Sequence, residues 1–425
     1  MSLVLALGRI GPACHDWSDC QSRLGNDFLL GARALYYILP PHVIIAVNMG
    51  STRYKVWLES RPCLQPKHIL FLSSLQRILS YIHYIPLPNF QSLFTFLTMA
   101  TLSTTTLVGR TIGTTGLGLM QMNFPGGPTT EEAIAVMKAA LDSGCNFWNG
   151  GEFYGTPESN SLHLLHAYFT KYPNDAPKVV LSIKGAYVNH APDCSPEGIR
   201  RSVDRCNAIL AGTKTIDIFQ CARVDKNVPI ETSIGTLKEL VAEGKIGAIG
   251  VSEIGAEKLA RAIKSAPIAA VEVEVSLVEK DIFTNGVAEL CAKHGIPIIG
   301  YGPFVRGLVF LKSADEAGIL AMFPRFQGEA LEINLKLAAE IQRMAAAKGC
   351  SVAQLCISWV KQMSKRGGNA EIIPLPGSTN QARARANLVD VVLTEQELSD
   401  IDEVVGRYEI AGERYPAAMA SNWET

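Results

Sequence analysis

Two side chains stand where chemistry could happen: a phenol and an amine, each just past an apolar run. Tyr154 lies in Asn149-Gly150-Gly151-Glu152-Phe153-Tyr154-Gly155, and Lys184 ends the next run, Val180-Leu181-Ser182-Ile183-Lys184. A tyrosine alone is a poor acid near neutrality, with an ordinary pKa of about 10. A neighbouring ammonium favours the phenolate, so the pair could hand a proton to a carbonyl oxygen that is receiving a hydride. The plainer alternative is a core tyrosine and a snorkelling lysine that never meet. The pattern of the surrounding chain decides between the two.

That pattern is a repeat. From about residue 106, strand-sized apolar runs alternate with helices. The expected strands are Gly113–Met120, Cys145–Trp148, Val179–Ile183, Ile216–Phe219, Ile246–Val251, Ala270–Val275, Ile296–Tyr301 and Glu371–Pro374. Helices are expected between them. Glu131–Ser143 follows Thr129 and Thr130, another opens at Ser195-Pro196-Glu197, and others span Ser233–Glu243, Ala256–Ser265, Thr284–His294 and Glu332–Lys348. Caps such as Ser195 with Pro196 and the glycine after Lys348 mark their ends. Buried strands joined by crossover helices pair in parallel. An open doubly wound sheet would show Gly-x-Gly-x-x-Gly after its first strand, and Gly113-Thr114-Thr115-Gly116-Leu117-Gly118 has the wrong spacing. Eight units without a central break favour a closed α/β fold, a (β/α)8 TIM barrel, whose sites lie at the C-terminal ends of the strands. Tyr154 and Lys184 fall at that end.

Composition narrows the function. The 425 residues carry a formal charge of −1 with no Lys/Arg run, which argues against nucleic acid and membrane surfaces as partners. The ten cysteines form no CxxC pair and no Cys/His spacing that suits zinc, so no metal site is expected. Scattered thiols in apolar runs fit a reducing compartment, and the expected location is cytoplasmic.

Residues 1–98 have another texture: aromatic, rich in Leu, Ile and Ser, with eight Lys/Arg against four Asp/Glu. The expectation is a poorly structured N-terminal extension, disordered or absent from the mature protein, with Met99-Ala100-Thr101 as a natural start for the barrel domain at 99–425. A membrane anchor is the second reading. It rests on charge-free stretches near Ala34–Thr52 and Ile78–Thr98, which prolines at 40, 41, 86 and 88 interrupt.

Over 106–410 the residues resemble the aldo-keto reductases, and within them the fungal pyridoxal reductases. The resemblance is carried by Gly116-Leu117-Gly118-Leu119-Met120, the Asn149–Gly155 stretch, Lys184, and Asp217 through Asp225. It continues in Gly244 through Ser252, Gly300-Tyr301-Gly302-Pro303 with Arg306-Gly307, Arg325 through Glu329, and Ile373 through Ser378. The resemblance implies NADPH-dependent reduction of a small-molecule aldehyde, pyridoxal to pyridoxine, with Tyr154 as acid and Lys184 as its electrostatic partner. A broad aryl-aldehyde reductase and a non-catalytic NADPH-binding barrel are the alternatives.

Of the four family positions around the reacting carbonyl, two differ. Asn149 stands where the family has an acid, and Ala222 where it has a histidine. Asn149 can orient Lys184 but not neutralise it, so the sequence leaves open whether Lys184 stays charged. Ala222 and the Gly150-Gly151 pair are expected to make room for a bulkier aromatic aldehyde.

For the cofactor, the resemblance assigns Ser252 and Glu272 to the carboxamide and Tyr301 to the nicotinamide face. Arg306 and Gly307 fall to the pyrophosphate, Ser378 and Arg383 to phosphate, and Asn387 to adenine. Glu152 and Arg223 are expected to read the substrate's ring groups, and Arg325, in a long segment after strand seven, to wall its pocket. Phosphorylated pyridoxal should be the poorer substrate. Oligomeric state is unknown from sequence.

Overall fold

The computed structural model describes residues 103–416 apart from Pro125, Lys365 and the side chain of Ile319, together with the backbone of three strands further upstream. The chain divides into two compact units, Met1–Leu93 and Phe94–Thr425. In the first, strands Ala34–Leu39, Val43–Met49 and Tyr54–Ser60 pair antiparallel in chain order. The expectations for the rest of residues 1–98, including most of the anchor reading, lie outside the described residues. Among the described residues no helix is long and apolar enough to cross a membrane.

The second unit contains the eight parallel strands: β1 (Leu117–Gly118), β2 (Phe147–Gly151), β3 (Val180–Gly185), β4 (Ile218–Cys221), β5 (Ala248–Ser252), β6 (Ala270–Glu274), β7 (Ile298–Tyr301) and β8 (Ile372–Leu375). Each pairs with the next in sequence. The ends join as well: Gly116 and Gly118 donate backbone N–H groups to the carbonyls of Pro374 and Pro376 at 2.9 and 3.0 Å, and Gly118 bridges Gly377 in parallel. The sheet is therefore a closed barrel.

The helices form where their caps predict. Helix α1 (Thr130–Asp142) starts in a reciprocal Thr129–Glu132 capping box, and α2 (Ser161–Lys171) in the corresponding Asn160–His163 arrangement. Helix α3 (Pro196–Leu210) has Ser195 as its cap and Pro196 in its first turn.

The core is in two parts. Trp148, Leu181, Ile183 and Phe219 face outward and pack with helix residues such as Leu162, Leu165, Ile199 and Val203. Phe147, Val180, Ile218, Ala270, Ile299 and Ile373 gather into a separate cluster inside the ring. Inward positions recur every two residues, because side chains alternate across a strand. The sequence of inward residues therefore runs Phe147, Asn149 and Gly151 on β2, Val180, Ser182 and Lys184 on β3, and Ile218 and Gln220 on β4. The interior is apolar at the base and polar at the top.

The floor of the barrel was not expected. Thr104–Leu107 and Arg110–Gly113 form an antiparallel hairpin, turning at Val108 and Gly109, both with positive φ (46° and 72°). Its Leu107 and Ile112 insert into the interior cluster and floor the barrel. Burial of two such side chains contributes about 3–6 kcal/mol on area grounds. The hairpin also claims Gly113, which explains why the first barrel strand is only two residues long and not Gly113–Met120. With the base plugged, the mouth at the C-terminal strand ends remains open to chemistry.

Candidate active site

Lys184 ends its inward run near the top of β3, where it is 96% buried, since only 4% of it is exposed. Its ammonium donates to Asn149 Oδ1 at 2.8 Å and forms a short ion pair with Glu272 on β6. Asn149 Nδ2 donates in turn to Glu272 Oε2 at 2.8 Å, and Gln220 Nε2 on β4 donates to the same oxygen. Ser182 Oγ lies beside both amides, at 3.4 Å from Asn149 and 3.5 Å from Gln220. Burial alone would push the Lys184 ammonium down. The Glu272 carboxylate and a hydrogen bond and charge interaction with the Tyr154 phenol outweigh it, so the pKa rises above the ordinary lysine value of 10.5. Lys184 is therefore held charged, the point that the sequence left open.

Tyr154 sits half-buried after β2, its ring centroid 5.6 Å from Lys184 Nζ. Phe153 packs against it edge-on at 4.9 Å. The ring lies directly over Gly151, and a Cβ there would meet the ring atoms at 3.2–3.3 Å. At Gly150 a Cβ would meet Ser161 Oγ at 2.9 Å and Ile183 at 3.2 Å. The glycine pair thus makes room for the protein's own side chains and not for a larger substrate, which corrects the expectation. Gly151→Ala should displace the Tyr154 ring by a few tenths of an ångström and lower kcat about tenfold, with a near-normal melting temperature. A kcat equal to wild type would show that the ring position is not critical.

Tyr301, at the end of β7, completes this side of the mouth, with its ring centroid 5.9 Å from Lys184 Nζ. Ala222 is buried at the end of β4. Burial works against the charge of neighbouring Arg223, but Tyr301, Glu253, Tyr415 and Tyr154 lie near enough to raise its pKa above the usual arginine range. Arg223 is thus one expected substrate residue that the fold brings to Tyr154.

Other expected residues are placed differently. Glu152 turns away from the mouth and is buried against α3, where it accepts from Ser202 Oγ at 2.8 Å and Arg205 at 2.7 Å. That carboxylate joins strand to helix and is not placed to read a substrate. Arg325 is also buried, pairing with Glu279 at 3.0 Å and donating to the Gly412 carbonyl at 3.3 Å. It holds the long segment to Glu279 and to the C-terminal tail. The Arg306 guanidinium lies between the rings of Phe323 and Tyr415, 4.6 and 4.2 Å from their centroids. Gly307 follows with φ of 99°. Glu272, expected at the carboxamide, has its carboxylate turned to Lys184, Asn149 and Gln220.

Several participants were missed. Ser182 and Gln220 could have been found, because they occupy inward positions two residues from Lys184 and Ile218. Arg414 and Tyr415 could not. They belong to a C-terminal tail that Asn334 ties down by bonds of 2.9 Å to and from Ala411. Arg414 then reaches Glu274 at 2.8 Å and the Tyr301 hydroxyl at 3.2 Å. Local sequence gives no sign of that course.

Comparison with known proteins decides the family. Residues 114–405 match the Aldo/keto reductase family over well more than half of the chain. The chain belongs to the aldo/keto reductase family. A Schizosaccharomyces pombe protein named "Probable pyridoxal reductase 2" is 38% identical over 328 residues, covering 74% of this chain and 97% of that protein. A Saccharomyces cerevisiae relative, also named for pyridoxal reductase activity, is 34% identical, covering 72% and 96%. The solved glycerol dehydrogenase from Gluconobacter oxydans superposes with a TM-score of 0.62 at 24% identity, over 73% of this chain and 97% of that one, a likeness of fold. This aldo/keto reductase is an oxidoreductase, and its family works with nicotinamide cofactors.

The residues of the mouth fit such a cofactor. Ser252 Oγ, at the end of β5, is buried and has no hydrogen-bond partner among the described residues. Leaving a buried hydroxyl unpaired costs about 1–3 kcal/mol, which a carboxamide at this position would recover. Beyond β8, Ser378 is buried and its hydroxyl accepts from the backbone of Asn380 at 3.3 Å. Asn380 caps the helix Gln381–Ala386, on which Arg383 is exposed and leans on Thr379 at 3.4 Å. Asn387, mostly buried, follows that helix.

Proposed function

We propose that residues 99–425 form an NADPH-dependent aldehyde reductase that converts pyridoxal to pyridoxine. The observation that carries the reductase reading is the buried, charged Lys184 interacting with the phenol of Tyr154 at the mouth of a closed barrel. Ser252 and Tyr301 would receive the nicotinamide end of the cofactor. Ser378, Arg383 and Asn387 would receive its adenosine phosphate end, with Gly307 and the backbone at Arg306 between them. When bound, the cofactor supplies hydride to the carbonyl carbon. Tyr154 supplies the proton to the carbonyl oxygen. Lys184 stabilises the phenolate left behind, and the Asn149 amide keeps the ammonium pointed at it.

The choice of pyridoxal rests on the two fungal relatives, with the small side chain at Ala222, beside Arg223, as the feature that would leave room for its ring. Arg223 would meet the phenolic oxygen of the substrate. Arg306 and Arg414 are already engaged, one between aromatic rings and one on carboxylates, so a phosphorylated substrate would find little new charge to pair with. Cofactor oxidation with pyridoxal, pyridoxal 5′-phosphate, benzaldehyde and 4-nitrobenzaldehyde tests this. Turnover should be highest with pyridoxal and slower with its phosphate. Equal rates on the aryl aldehydes would make the enzyme a broad aldehyde reductase, and cofactor binding without turnover would make it a non-catalytic barrel.

A further inference from the structure

We propose that Glu272 is a positioning residue for the reaction: the carboxylate on β6 that keeps Lys184 charged and aimed, with Asn149 and Gln220 as its brackets. The inference deepens the reductase reading above and rests on it. A buried ammonium needs a counter-charge, and the neutral Asn149 cannot provide one. Among the described residues, Glu272 does so from across the barrel, fully buried, while Asn149 accepts from Lys184 with its oxygen and donates to Glu272 with its nitrogen. Gln220 commits its amide nitrogen to the same carboxylate even though its own buried Oε1 finds no partner among the described residues. A polar group left unsatisfied in this way argues that holding Glu272 in place outweighs the cost. One oxygen of the carboxylate is bound to Lys184 and the other to two amides. Glu272 therefore has little left to offer a cofactor carboxamide, and that task falls to Ser252.

The same geometry shows that Asn149 and Glu272 must be complementary. Asn149 Oδ1 already lies 2.8 Å from the ammonium, so an acid at 149 would reach Lys184 as well. With Glu272 still present, that acid would place two carboxylates in contact, where both cannot ionise cheaply. One acid is needed, and either site can supply it.

The test is a double-mutant cycle in the full chain: Glu272→Gln, Asn149→Asp and the pair together, with Tyr154→Phe as control. Glu272→Gln should lower kcat on pyridoxal about 100-fold and leave the NADPH Kd within about threefold. Its pH profile should acquire a limb that falls as pH rises through the neutral to alkaline range, because burial now pushes the unpaired ammonium down. Asn149→Asp alone should also be impaired. The double variant should recover at least about tenfold of the lost kcat and lose the new limb, a non-additivity that contact between the two sites predicts. Unchanged kcat and pH profile in Glu272→Gln, a double variant no better than the single, or a raised Kd with intact kcat would each overturn the assignment. Circular dichroism and the recovery of the double variant separate misfolding from loss of positioning. A fully active Tyr154→Phe enzyme would instead remove the reductase mechanism, while an inactive one beside a normal Glu272→Gln would remove only the role of Glu272.

Discussion

Tyr154→Phe should abolish turnover while NADPH still binds. The substitution deletes one oxygen and keeps the ring, so its edge-on packing with Phe153 and its seat over Gly151 persist. What disappears is the proton that the developing alkoxide must take up. Positioned acid catalysis contributes about 100- to 10,000-fold, and among the described residues no other phenol stands in the same relation to Lys184: Tyr301 has its hydroxyl on Arg414 at 3.2 Å. A fall in kcat of about 1,000-fold or more is expected, equivalent to about 4 kcal/mol of barrier. Cofactor affinity, measured by quenching of protein fluorescence, should be nearly unchanged, because the groups assigned to the dinucleotide lie on β5, β7 and beyond β8. Near-normal rates on pyridoxal in this variant would remove Tyr154 as the acid.

The barrel was legible in the chain because its evidence is periodic. Apolar runs of strand length, helices opened by Thr129, Ser195 and Pro196, and the absence of a break between halves all point to one closed sheet. Register was less legible. Apart from the first, whose start the floor hairpin takes, the expected strands begin up to two residues early, as at Cys145, Ile216 and Ile246, since buried residues leading into a strand look like the strand itself. The floor hairpin was missed because Thr104–Gly113 is short and its two buried residues give no repeat to detect. Only the packing of Leu107 and Ile112 against the interior cluster reveals its place.

The site divides along the same line. Tyr154 and Lys184 could be read from local motifs, because one follows and the other lies near the end of a strand whose position the pattern fixes. The counter-charge of Lys184 could not, because it comes from β6, 88 residues later, and depends on which side of that strand faces inward. Glu152 shows the opposite error. It is next to the motif in sequence, yet a residue directly after a strand can turn outward, and here Ser202 and Arg205 of α3 hold it there. Arg325 and Arg306 repeat the lesson for charges in long segments: each has a partner in another part of the fold that sequence proximity does not suggest. A carboxylate or guanidinium near a strand end is thus a weak guide to a site until its own partners are known, whereas inward parity along a strand is a strong one.

Lys184→Met should cost several orders of magnitude in kcat at neutral pH, and the pH dependence of that loss carries the mechanism. The methionine fills the volume of the aliphatic stem but brings no charge, so a phenolate forming at Tyr154 loses the nearby ammonium in a site from which water is largely excluded. It also leaves Glu272 buried without its ammonium, and some loss of thermal stability is expected alongside the kinetic effect. The sign of the pH effect follows from the raised pKa of Lys184. A lysine pushed down by burial would already be neutral near physiological pH, and its replacement would then matter little there. Because the Glu272 carboxylate and the Tyr154 phenol hold the pKa above 10.5, the charge is present throughout the neutral and mildly alkaline range and is lost only above that value. The ratio of wild-type to variant kcat should therefore stay large and level from about pH 6 to about pH 10 and shrink beyond it as the wild-type ammonium deprotonates. Steady-state rates with pyridoxal across that range provide the check. A ratio that stays constant at every pH would mean that Lys184 supports the site by shape alone, and a ratio that already collapses near neutrality would mean that Glu272 fails to keep it charged.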